Sequence, residues 1–107
     1  MSEFMAINDA NFTVDVAESK TPVLVEFGAE WCVPCKRMEP TLTELSKVWG
    51  ARVRLGKVDV DENPGLTMQF GVMSVPTMIL FKGGEAVERA SGLQTRERLI
   101  EKFEPHF

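Results

Sequence analysis

The spacing of apolar residues changes period several times along the chain, and each change marks an element. Phe4, Met5 and Ile7 predict a short first strand. Asn8-Asp9 offers an N-cap for a helix whose apolar positions are Phe12, Val16 and Ala17, ended by Lys20-Thr21-Pro22. Val23-Leu24-Val25-Glu26-Phe27 is an apolar run with one carboxylate, bounded by Pro22 and Gly28, and it predicts a strand buried on both faces. Met38, Leu42, Leu45 and Val48 then recur at helical spacing. They predict a long helix from about Pro34 to Val48, kinked at Pro40 and stopped by Trp49-Gly50. Val53 to Val60 is a second β-forming run, followed by the turn Asp61-Glu62-Asn63-Pro64-Gly65. Leu66 to Phe70 predicts a short helix closed by Gly71. The strands Met78–Phe81 and Ala86–Ala90 flank the hairpin signal Lys82-Gly83-Gly84-Glu85. After Gly92, Thr95 caps a last helix with apolar Leu99, Ile100 and Phe103. Strands that alternate with helices and end in a hairpin imply an α/β fold with a mixed sheet.

Composition narrows the functional classes. The chain has 107 residues, enough for one domain (1–107) with a real core. Twelve basic against sixteen acidic side chains leave a net charge of −4, which argues against nucleic acid as a partner. No apolar run approaches the roughly 20 residues that span a bilayer, so no membrane segment is expected. Met1-Ser2-Glu3-Phe4 has neither the basic nor the apolar part of a secretory signal. A reducing, cytoplasmic setting is therefore expected, where a lone Cys-x-x-Cys is more often catalytic than structural.

Candidate chemistry concentrates in Trp31-Cys32-Val33-Pro34-Cys35-Lys36, which holds both cysteines. They fall where a strand hands over to a helix. The free N–H groups and positive dipole end of a helix start favour a thiolate at Cys32. Positions i and i+3 bring Cβ atoms to roughly 5–6 Å, within small adjustments of disulfide geometry. Cys35 is then placed to resolve a mixed disulfide formed at Cys32, and Pro34 is tolerated in the first turn. Two other readings compete. Zinc normally takes four Cys or His ligands, against two cysteines and His106 here. A purely structural disulfide over so short a loop constrains the unfolded chain little.

With these residues in place, the chain resembles the thioredoxin family over essentially its whole length. The resemblance rests on Val25-Glu26-Phe27, Ala29-Glu30-Trp31-Cys32-Val33-Pro34-Cys35-Lys36, Pro40, Lys57-Val58-Asp59, Asn63-Pro64, Val75-Pro76-Thr77, Phe81-Lys82-Gly83-Gly84 and Gly92. It implies the thioredoxin fold, a central mixed β-sheet flanked by helices on both faces. It further implies Cys32 as attacking thiol, Cys35 as the more buried resolving thiol, and a cis-proline at Pro76. Backbone at Val75 is then expected to pair with an extended substrate segment. Trp31, Met73 and Val75, with Gly92, are expected to form the substrate-contacting surface, although each of the first three also suits core packing. Pro76 taken alone equally suits the start of a strand.

Glu26 calls for an explanation with or without the family. Desolvation on a strand buried on both faces raises a carboxyl's pKa and lets it exchange protons near neutrality. The resemblance places the family's acid here, usually Asp, and makes Lys57 its charged neighbour. A plain structural ion pair between Glu26 and Lys57 is the competing reading. Val33 stands where the family usually has glycine, Gly28 where it has an aromatic residue, Ser74 where glycine is common, and Met73 where a charge is frequent. The implied activity is protein-disulfide reduction with no cofactor and no metal, by a monomer recharged by a flavin-containing thioredoxin reductase and acting on disulfide-containing clients. A specialised oxidant, a client-specific reductant or a non-catalytic binding module are the alternatives on the same scaffold.

Overall fold

Why the elements form is legible in the burial of their side chains. The computed structural model describes residues 4–107; Met1–Glu3, read above as lacking a signal sequence, lie outside the described residues. Five strands, β1 (Met5–Ala6), β2 (Val23–Gly28), β3 (Arg54–Asp59), β4 (Thr77–Lys82) and β5 (Glu85–Ser91), form one sheet in the order β1-β3-β2-β4-β5. The pairings β1–β3 and β2–β3 are parallel, and β2–β4 and β4–β5 are antiparallel. β2 is the central strand, and every residue of it is buried, as the apolar run predicts.

Helices cover both faces. Leu24, Leu55, Met78 and Leu80 point to one side, against Met38, Leu42, Leu45 and Trp49 of α1 (Val33–Trp49) and Leu99 and Phe103 of α3 (Arg96–Phe103). Val23, Val25, Phe27, Val58, Ile79 and Phe81 point to the other. There they meet Val16 from a five-residue π-helical turn (Thr13–Ala17) and Leu66 from α2 (Pro64–Gln69). Phe12, Phe70 and Phe81 form a ring cluster on this side, with centroids 4.9 to 5.4 Å apart. Among the described residues no helix is long and apolar enough to cross a membrane.

Several boundaries differ from the sequence reading. The first helix is a single π-helical turn; Asn8 does cap its approach, its side chain accepting from the backbone N–H groups of Ala10 and Asn11. In α1 the last buried position is Trp49, whereas Val48 is exposed. The spacing from Leu45 favours i+4 here because Trp49 reaches the C-terminal turn, where its Nε1 donates to Glu104 at 2.7 Å and its ring meets Phe107 edge-on. α1 continues through Pro40. α2 begins at Pro64 and ends at Gln69, because proline at the first helical position is favourable there.

Candidate active site

The site gathers at one edge of the sheet because of strand direction. β2 ends at Gly28 and β3 at Asp59, while the antiparallel β4 starts beside them, with Phe27 in register with Thr77. The chain leaving β2 enters α1 through Cys32. Cys32 is the N-cap of that helix, its Sγ accepting from the backbone N–H of Cys35 at 3.1 Å, with Pro34 in the first turn. Cys32 and Cys35 are joined as a disulfide, with Cα atoms 5.3 Å apart. Both are buried, Cys32 at 3% and Cys35 at 1% exposure. His106 lies against Glu88 instead, 3.6 Å away, so the two cysteines and the histidine do not form one ligand set.

The Val75–Pro76 peptide is cis. Pro76 is buried at the head of β4, and Val75 packs against the cluster of Ala29, Cys32 and Cys35. The Gly92 N–H donates to the Pro76 carbonyl at 2.8 Å, so both belong to the same corner of the sheet. Trp31 and Met73 are not core residues, being 67% and 96% exposed. With Val60, Val72, Ser74 and half-buried Val75 they line a groove of about 230 Å³ beside the disulfide. The Trp31 Nε1 donates to Asp61 at 2.8 Å, which holds the indole across this groove.

Beneath the disulfide lies Glu26, on the α1 side of β2. Its exposure is 0%, and neither carboxyl oxygen has a hydrogen-bond partner among the described residues. Burial, then the Glu39 charge, push its carboxyl up from the ordinary 4.5 to about 8, against the opposing pull of Lys57. A Cβ built on Gly28 would lie 3.1 Å from Cys35 Sγ, 3.3 Å from its Cβ and 3.9 Å from the Glu26 carboxyl carbon. Glu26 and Cys35 therefore border one point, and a side chain at Gly28 would press on the sulfur and displace it by a few tenths of an ångström.

Lys57 stands next to Glu26 in the β2–β3 register. Its ammonium nevertheless bonds Glu39, Nζ to Oε2 at 2.7 Å, so a Glu26–Lys57 hydrogen-bonded pair is not formed. Burial alone would lower the Lys57 ammonium, but the hydrogen bond and charge of Glu39, helped by Glu26 and Glu30, hold it above its ordinary value. Glu39 was missed by sequence reasoning. It follows Cys35 by four positions, the spacing that puts two side chains on one helix face.

The comparisons with known proteins agree with this geometry. The thioredoxin family model matches residues 3–104. A thioredoxin from Alicyclobacillus acidocaldarius is 48% identical over 89% of this chain and 90% of its own length. One from Synechocystis sp. is 38% identical over 99% of both. A bifunctional thioredoxin reductase/thioredoxin from Mycobacterium leprae is 44% identical over 88% of this chain and 20% of its own length. With the sheet, the paired cysteines and these relatives in agreement, the chain belongs to the thioredoxin family and is a protein-disulfide oxidoreductase.

Proposed function

We propose that this chain works as one monomeric, cytoplasmic thioredoxin domain that reduces disulfide-containing client proteins and is recharged by a thioredoxin reductase. The observation that carries the residue roles is the placement of Cys32 at the start of α1, with a backbone N–H aimed at its sulfur and Val75 packed beside it. A sulfur at a helix N-cap is stabilised as the thiolate, the form that attacks. In the reduced protein the Cys32 thiolate attacks one sulfur of a client disulfide. The client S–S bond breaks, a bond from Cys32 to that sulfur forms, and the second client sulfur leaves as a thiolate that takes a proton. Cys35 then gives its proton to Glu26 and attacks Cys32 Sγ. The mixed disulfide breaks, the client leaves with both sulfurs reduced, and the Cys32–Cys35 disulfide holds the oxidised equivalents.

Glu26 suits the proton step because its carboxyl, at about 8, lies near the roughly 8.5 of a free thiol, so the proton moves at little cost. The groove of Trp31, Met73 and Val75, with cis-Pro76 and Gly92, is the surface on which an extended client segment lies, its backbone pairing at Val75. The Mycobacterium leprae relative, whose name joins a thioredoxin reductase to a thioredoxin, supports a reductase as electron source.

Cysteine replacement separates the roles. Cys32→Ser should lower client reduction to the uncatalysed background, and Cys35→Ser should accumulate a client bound through Cys32, read by intact mass spectrometry. A midpoint potential at or below about −250 mV marks a reductant, and one at about −120 to −180 mV marks an oxidant or isomerase and overturns the proposed direction.

A further inference from the structure

The buried carboxyl at Glu26 has a cation beside it in the sheet and yet no hydrogen-bond partner among the described residues. On β3, Lys57 is the register neighbour of Glu26, and two adjacent side chains on one sheet face ordinarily pair. On β4 the register neighbour is Met78, which carries no charge. From α1 come Cys35 and Glu39. Glu39 is half-buried, and it takes the Lys57 ammonium at 2.7 Å. Glu30 acts on the same lysine from a greater distance, adding to its stabilisation as a cation.

We infer that Glu39 is a positioning residue for the proton step, which keeps the Glu26 carboxyl without a cationic partner by holding the Lys57 ammonium in an ion pair of its own. The effect has two parts of the same sign. The Glu39 charge repels a second carboxylate nearby, and its hydrogen bond draws Lys57 away from Glu26. Both favour the protonated form of Glu26. Removing the Glu39 charge frees Lys57 to turn to Glu26, its register neighbour and the carboxylate that acts on it most after Glu39. The inference rests on the proton role proposed for Glu26, but its first readout does not depend on that role.

That readout is the titration of the Glu26 side-chain carboxyl, followed by carbon-13 NMR of the oxidised full chain between pH 4 and 10. In Glu39→Gln, which keeps size and polarity, the Glu26 midpoint should fall by about one pH unit or more, the size of effect an opposite charge exerts. In a Lys57→Met background the same Glu39→Gln change should lower it less than half as far. An unmoved midpoint in Glu39→Gln overturns the inference. So does an equal fall with Lys57 removed, since Glu39 would then act only as a distant charge. Mixed-disulfide resolution measured against pH supplies the second readout. Its rise should move to lower pH in Glu39→Gln by the same interval as the NMR midpoint. If Glu26→Gln leaves that profile unchanged, the proton role of Glu26 fails, while the control by Glu39 is still decided by the NMR titration.

Discussion

At the residue scale the consequential choice is a carboxyl at the centre of the central strand. Burying a carboxylate without a partner costs several kcal/mol, so the group keeps its proton instead. In the unfolded chain Glu26 titrates near its ordinary 4.5, and in the native state near 8. Between those values the native state holds a proton that the unfolded state has lost. Its contribution to stability is therefore complete below about pH 4.5 and is lost as the pH rises through 8. Glu26→Leu should raise stability by about 1–4 kcal/mol at pH 9, the range found on replacing buried charges by apolar groups. At pH 5 the gain should be clearly smaller. Urea unfolding at the two pH values checks this, and equal gains would mean that the Glu26 carboxyl titrates in the folded state where it does in the unfolded chain. Its burial was legible in the sequence, because four apolar neighbours in a strand leave a polar side chain nowhere to go. The partner of Lys57 was not, since a lysine on one strand and a glutamate on a helix meet only through packing.

At the element scale, local punctuation carried most of the reading. The hairpin between β4 and β5 has Gly83 and Gly84 at φ 61° and 83°, the left-handed pair that a two-residue turn requires. A Cβ on Gly83 would meet nothing within 4 Å, whereas one on Gly84 would lie 3.1 Å from the Ala17 carbonyl oxygen. Gly84→Ala should therefore cost about 1–3 kcal/mol for its backbone conformation plus the displacement of that turn. Gly83→Ala should cost less, and thermal or denaturant unfolding of the two variants gives the comparison; equal costs would mean the contact with Ala17 is soft. The five strands and α1, α2 and α3 were legible as elements, whereas the first predicted helix is only a π-helical turn and the 3-10 turns at Gly50–Arg52 and Glu104–His106 were not foreseen. What escaped was the identity of boundary residues, such as Pro64 opening α2 and Trp49 in place of Val48 as a buried position, because those depend on what the helix end touches.

At the scale of the whole molecule, the sheet separates two large apolar clusters that share no buried residue, one beneath α1 and α3 and one beneath α2 and the π-helical turn, besides the small cluster at the cysteines. Phe103 lies in the first and Phe81 in the second, both essentially inaccessible. Phe103→Leu and Phe81→Leu should each destabilise. Their costs should add to within about 0.5 kcal/mol in the double variant, as for sites without shared partners. A coupling above about 1 kcal/mol would show that strain passes through the sheet.

The sequence alone determined the strand and helix order, the helix-capping position of Cys32, the burial of Glu26 and the family. Each of these follows from periodicity, capping chemistry or a motif of neighbouring residues. Tertiary structure decided which distant residues meet: Val75 at the cysteines, Trp31 bonded to Asp61, Gly28 against Cys35, and Lys57 held by Glu39. The reason is physical. Backbone preference and hydrophobic period act over a few residues, whereas contacts across the sheet arise from strand register and helix packing, which are set by the whole chain at once.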